Sequence, residues 1–177
     1  MARRYSLLSY GTMMTCAPRV DAFAEALRRA VTPGCRVFDI GAGPGLFSLL
    51  ACQFGAGEVV AIEPSASTDL LLAFARANGY ADRIRVVRGL STDYVPEARA
   101  DVIVSDLRGA QSVFERHLPS VIDARERLLA PGGTLIAMRD TLRVALAYAS
   151  GYGAYFDAPW ATDRHGLDLS EIGRAHV

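Results

Sequence analysis

A short apolar run, Val37-Phe38-Asp39-Ile40, empties into Gly41-Ala42-Gly43-Pro44-Gly45, and a second apolar run, Val59–Ile62, closes on Glu63, eighteen residues after Gly45. Nothing else in the chain restricts its fold so tightly. Apolar runs of four or five residues bounded by turn signals are the size of buried strands. Glycines at alternate positions let the backbone turn sharply and approach a ligand with no Cβ in the way. An acid at the tip of the next strand is placed to accept both hydroxyls of a ribose. The stretch therefore reads as a βαβ unit built around an adenosine-containing ligand.

The rest of the chain repeats that rhythm. Val20, Phe23, Ala24, Leu27, Ala30 and Val31 share one helical face over 20–31, and Thr32-Pro33-Gly34 stops the run. Strands are expected at Arg36–Ile40, Glu58–Glu63, Ile84–Val87, Asp101–Ser105 and Thr134–Met138. Helices are expected from Leu46 to Phe54 and over 68–78, the latter ended by Asn78-Gly79. A long helix is expected to carry Phe114, Leu118, Val121, Ile122, Leu128 and Leu129 into the turn Ala130-Pro131-Gly132-Gly133. Strands alternating with helices predict an α/β fold, a Rossmann-like, doubly wound and mostly parallel sheet. Ligands of such sheets bind at the carboxyl ends of the strands, where Gly41–Gly45, Glu63 and Asp106 fall.

After Met138 the period changes to two, with Leu142, Val144, Leu146 and Tyr148 alternating with Arg143, Ala145 and Ala147. Residues 1–139 are thus expected to form the ligand-binding domain, with 1–34 as its N-terminal helical segment. Residues 140–170 are expected to carry the first strands of an incomplete β domain. Residues 171–177, Glu-Ile-Gly-Arg-Ala-His-Val, match a translated sequencing adapter in one codon choice and are expected to be non-native; His176 carries no functional weight.

Composition narrows the classes. The 177 residues are 51% hydrophobic and 21% charged, which suits one domain with a real core. All 19 basic residues are Arg and they balance 19 acids, so a nucleic-acid partner is not expected. Cys16, Cys35 and Cys52 have neither CxxC spacing nor a nearby His, and are expected to be reduced, buried thiols with no metal. No apolar run reaches membrane-spanning length and Arg3-Arg4 leads into no signal-peptide core, so a cytoplasmic protein without a membrane partner is expected.

The loop spacing separates two adenosine cofactors. Dinucleotide loops use G-x-G-x-x-G, whose third glycine opens a helix that holds a pyrophosphate. Here the pattern is G-x-G-x-G with Leu46 at the third-glycine position, and Asp39 lies within the preceding strand. The arrangement resembles the loop of class I methyltransferases, which bind S-adenosyl-L-methionine (AdoMet), a ligand with an ammonium and no phosphate. The resemblance makes Arg19, Asp39, Gly41, Ala42, Gly43, Gly45, Glu63, Pro64, Ser91 and Thr92 the expected cofactor-binding residues, with Arg19 on the AdoMet carboxylate and Ser91-Thr92 beside the adenine.

From Tyr5 to Ser170 the chain resembles protein arginine methyltransferases and their bacterial relatives. The carriers are Arg19, the Asp39–Gly45 loop, Glu63, Ser105-Asp106 with Glu115, Ala130-Pro131-Gly132-Gly133 and His165-Gly166-Leu167-Asp168-Leu169-Ser170. In that family two acids nine positions apart clamp the substrate guanidinium, and Asp106 and Glu115 keep the offset. A guanidinium is planar and permanently charged, and it pairs bidentately with carboxylates. Asp106 is one methylene shorter than the family Glu, Cys16 stands where the family has an acid, and Thr92 replaces a carboxylate that Asp93 is placed to supply. Asp106 equally fits an acid that contacts the ligand in any class I enzyme, and Glu115 and Arg19 equally fit solvated helix positions. His117 reads as a surface histidine, and Arg108 and Arg116 as partners for these acids or as charges that repel a cation. The expected function is methyl transfer to a nitrogen of a protein or small molecule, a protein arginine being one candidate. A small-molecule or ribosomal-protein acceptor and a non-catalytic AdoMet-binding module are the alternatives. A full-length relative would carry a C-terminal β-barrel and a dimerisation arm, and hence form a homodimer.

Overall fold

Parallel strands covered on both faces need near-continuous apolar runs, and Val37, Phe38, Val59, Val60, Ile103 and Val104 are all fully buried. The structure, a computed structural model, describes residues 5–107, 116–146 and 151. Five parallel strands, β1 (Arg36–Ile40), β2 (Glu58–Ile62), β3 (Ile84–Val87), β4 (Ala100–Ser105) and β5 (Leu129–Ile136), lie in the order β3-β2-β1-β4-β5. The helices are α1 (Leu7–Met14), α2 (Ala17–Ala30), α3 (Leu46–Gln53), α4 (Thr68–Ala77) and α5 (His117–Asp123). Among the described residues no helix is long and apolar enough to cross a membrane. The chain divides into two units, Met1–Asp140 and Thr141–Val177, and all the elements above belong to the first.

Strand alternation sorts the core into two layers. Val37, Val59, Ala61, Val102 and Val104 pack with Phe23 and Leu27 of α2, Phe47 and Ala51 of α3, and Leu71 of α4. Phe38, Ile40, Val60, Ile62 and Ile103 pack on the other face with Ala124, Leu128 and Leu129. Because β1 lies between β2 and β4, the chain leaves it in one direction and returns on its other side. The turn after β1 therefore opens at the point where strand order reverses, the place where such sheets bind ligands.

The five strands expected of the parallel sheet are present, with differences elsewhere. Helix α1 falls within the expected N-terminal helical segment, 1–34, but its own bounds were not marked by the sequence, because it buries none of its residues and so shows no apolar stripe. The long helix before β5 is instead a seven-residue α5 followed by a wide turn, Ala124–Leu128. Arg127 explains the break: it donates to the carbonyls of Ser91 and Tyr94 and pairs with Asp123, drawing the backbone toward the turn at Ser91–Asp93. Ala124 and Leu128 then face the sheet, while Leu118 and Ile122 are 43% and 45% exposed; Phe114 lies outside the described residues. The Pro131-Gly132-Gly133 turn sits inside β5 as a bulge, since Ala100 faces Leu129 and Val102 already faces Thr134. Residues 141–146 form no strand, and Val144 is 99% exposed; Tyr148 lies outside the described residues.

Gly45 shows how sequence and packing meet. It caps α3 at φ +89°, and a Cβ there would collide with the Leu71 side chain of α4. Gly79, at φ +73°, has open space where its Cβ would be. We expect Gly45→Ala to lose about 2–4 kcal/mol, from left-handed strain plus overpacking, and Gly79→Ala only about 1–2 kcal/mol from strain. Urea unfolding midpoints read the difference; equal losses would show that the Leu71 contact contributes nothing.

Candidate functional site

The loop after β1 is held by β2. The N–H groups of Gly41 and Ala42 donate to the Ile62 carbonyl at 2.9 and 3.3 Å. The Gly43 N–H donates to Glu63 Oε2 at 3.0 Å, and the Ser65 N–H to Glu63 Oε1 at 2.9 Å. Glu63 is buried, so these charge-assisted bonds fix its carboxylate at the strand tip. Each carboxylate oxygen has a second lone pair left for a ligand hydroxyl. Pro64 is exposed in the turn between Glu63 and Ser65.

Asp39 lies beneath the loop, on the α3 face of β1. Ser48 of α3 donates its hydroxyl to Asp39 Oδ2 at 2.7 Å. Burial pushes the Asp39 carboxyl up to about 7; the Ser48 hydroxyl and backbone N–H oppose that shift, and the charges of Glu63 and Asp106 add to it. Two carboxylates, at the ends of β2 and β4, thus act on a third at the end of β1 around the glycine turn. Such a field suits a cationic ligand and opposes a pyrophosphate.

Arg19 of α2 supplies the counter-charge. Its Nε and Nη2 pair with Asp106 Oδ2, across 87 positions of sequence, and its Nη1 donates to the Met13 carbonyl at 2.9 Å. A guanidinium has five N–H donors, so these contacts do not exhaust it. Asp106 follows directly on Ser105, whose buried hydroxyl has no hydrogen-bond partner among the described residues. Ser91 is buried in the turn after β3, and the Thr92 hydroxyl donates to Asp93 Oδ1 at 3.3 Å. The fold therefore brings Arg19, Asp39, the loop, Glu63 and Asp106 together, with Ser91 and Thr92 on the same rim. Glu115 lies outside the described residues.

Several residues of this region escape sequence reasoning. Tyr10 of α1 sits over Gly43, its Cε1 3.0 Å from where a Cβ would be, and its hydroxyl donates to Ser67 at 3.4 Å. Leu107 occupies the corresponding space above Gly41. Ser48 is visible only as a serine in the first turn of the helix after the loop. His117 corrects the expectation of a surface histidine: it is 5% exposed. Cys16 corrects another, being exposed at the start of α2, whereas Cys35 and Cys52 are buried and burial pushes the Cys52 thiol up to about 11. An open apolar groove of about 710 Å³ lies between α2 and β5, lined by Phe23, Ala26, Ile136 and Met138. It touches none of the loop residues, so chemistry and open volume do not coincide here.

The family model for ribosomal protein L11 methyltransferase (PrmA) matches residues 20–138. Probable protein arginine N-methyltransferase 6 of Arabidopsis thaliana is 32% identical over 157 residues, covering 87% of this chain and 36% of that protein. The chain thus spans about a third of the length of such relatives. Among solved structures, protein arginine methyltransferase 10 of Arabidopsis thaliana, in an open conformation, superposes with a TM-score of 0.69 at 30% identity, over 74% of this chain and 38% of that one. The Trypanosoma brucei PRMT1 enzyme–prozyme heterotetrameric complex with AdoHcy gives a TM-score of 0.74 at 22% identity, over 94% of this chain and 54% of that one, a likeness of fold.

The buried Asp39 makes stability depend on pH in a defined direction. Its carboxyl ionises near 3.8 when exposed and near 7 in the fold. The stabilisation of the neutral form is complete below the first value and is lost as pH rises through the second. Asp39→Asn keeps the shape and cannot ionise, so its stability relative to the native chain should rise by about 2–3 kcal/mol between pH 5 and pH 8. Urea unfolding of both proteins at the two pH values measures this, and a gap that stays constant with pH contradicts it.

Proposed function

The chain belongs to the ribosomal protein L11 methyltransferase (PrmA) family of class I methyltransferases, and on that premise we propose that it binds AdoMet at the Gly41–Gly45 loop and methylates a nitrogen, with a protein arginine guanidinium as acceptor. The residues fit the cofactor. Glu63 keeps lone pairs for two ribose hydroxyls, Arg19 offers a cation to a carboxylate, and the acids around the turn favour an ammonium and a sulfonium. Bound there, AdoMet supplies an electrophilic methyl group and leaves as S-adenosylhomocysteine (AdoHcy).

The observation that carries the acceptor reading is Asp106, a mostly shielded carboxylate at the end of β4 that already pairs with a guanidinium, that of Arg19. A carboxylate held this way orients a planar cation and draws its positive charge away from the nitrogen that attacks. Glu115, nine positions on, is the proposed second arm of the clamp. The residues then act mainly by positioning and electrostatics. The length of the matches supports arginine over a ribosomal-protein acceptor, because the arginine methyltransferase relative aligns over 157 residues and the PrmA model over 20–138 alone.

Two measurements test this. Glu63→Ala should weaken AdoHcy binding at least tenfold, since each charge-assisted hydrogen bond contributes about 1.5–3 kcal/mol; unchanged affinity by calorimetry would remove Glu63 from the site. Asp106→Asn and Glu115→Gln should each lower turnover on arginine-containing peptides about 100-fold or more while leaving AdoMet affinity within about threefold. Glu115 decides the acceptor, as Asp106 neighbours the cofactor in any class I arrangement. Native turnover in Glu115→Gln, with mass spectrometry locating the methyl elsewhere than on arginine, would leave a class I methyltransferase with a different acceptor.

A further inference from the structure

His117 and Asp140 form a polar pair apart from the loop, Glu63, Arg19 and Asp106. His117 is the first residue of α5, and Asp140 lies four residues beyond the end of β5. β4 and β5 are neighbours, so both residues stand on the carboxyl rim that also carries Asp106, Glu63 and the glycine loop. The imidazole is 5% exposed, with Nε2 3.7 Å from Asp140 Oδ2. That separation is an electrostatic contact rather than a hydrogen bond. Nδ1 is buried and has no hydrogen-bond partner among the described residues.

Leaving a buried polar atom unpaired is costly, and such atoms at a binding rim call for an explanation. Among the described residues the two orphaned atoms, Ser105 Oγ and His117 Nδ1, bracket Asp106 in the sequence, one just before it and one at the first residue of α5. The negative Asp140 facing Nε2 favours the tautomer with its proton on that nitrogen. Nδ1 then carries a lone pair, an acceptor with no donor among the described residues.

We propose that His117 Nδ1 takes the proton released by the acceptor nitrogen, and that Asp140 positions it by holding the accepting tautomer. The inference rests on the methyltransferase reading. A guanidinium nitrogen that bonds to a methyl carbon gains positive charge unless it loses a proton. In the step its N–H bond breaks, the electron pair stays on nitrogen, and the proton passes to Nδ1. The pair of the broken carbon–sulfur bond is left on sulfur. The product is a methylguanidinium beside an imidazolium, whose charge Asp140 balances. Nothing beyond the acceptor and the cofactor is consumed.

The tautomer can be read without turnover. In ¹⁵N-labelled protein carrying His165→Gln and His176→Gln, His117 is the sole imidazole of the three in the chain. With AdoHcy bound at pH 8, its ring shifts should show Nε2–H and an unprotonated Nδ1, and Asp140→Asn should move population toward Nδ1–H. The opposite tautomer in the native pair overturns the proposal. On arginine-containing peptides, His117→Gln should lower kcat about 100-fold with KM and AdoHcy affinity within about threefold. His117→Gly should regain part of that loss with added imidazole. Native kcat in His117→Gln overturns the proposal and leaves the methyltransferase reading standing, whereas failure of the native chain to bind AdoHcy overturns that reading itself.

Discussion

The bond from the Gly43 N–H to the Glu63 carboxylate ties the turn after β1 to the tip of β2, and the rest of the site is arranged around it. Without a partner, a buried carboxylate at that tip would carry a large desolvation cost. With Gly43 and Ser65 donating to its two oxygens, it becomes the fixed point between two loops. The backbone bonds from Gly41 and Ala42 to Ile62 hold the same turn from below. Gly41, Gly43 and Gly45 all have positive φ, so the turn is built from the residues that can take that shape without strain.

Charge balance is the second constraint. Asp39, Glu63 and Asp106 stand close enough that the latter two raise the proton affinity of the first, and Arg19 brings a cation to Asp106. The chain uses Arg for every cation, and the structure employs several as clips on backbone carbonyls. Arg83 donates to the carbonyls of Cys52 and Ala56, Arg99 to that of Leu129, and Arg127 to those of Ser91 and Tyr94. A planar guanidinium can serve two acceptors at once, which a single ammonium does with less geometric definition. The clip at Arg127 is what converts an expected long helix into α5 and a wide turn.

The polar features on the carboxyl rim differ in how they are satisfied. Glu63 and Asp39 have their donors in place, Asp106 has a cation, and Ser105 Oγ and His117 Nδ1 have none among the described residues. Tyr10 and Leu107 cover the glycine turn from α1 and from the end of β4, so the loop is lined by side chains that no spacing rule selects.

The amino-acid sequence by itself determined the strands, the glycine turn and the acid that follows it. These are local matters: buried parallel strands demand unbroken apolar runs, and left-handed backbone demands glycine, so both leave marks within a few residues. Only the tertiary structure decided that Arg19 meets Asp106, that Ser48 satisfies Asp39, that Tyr10 lies over Gly43 and that His117 is buried. The Arg19–Asp106 pair joins positions 87 residues apart, and the exposure of Leu118 and Ile122 depends on where Arg127 pulls the backbone. Such partnerships arise from how separate elements pack, and a one-dimensional pattern records the periodicity of each element without recording which neighbour it will meet.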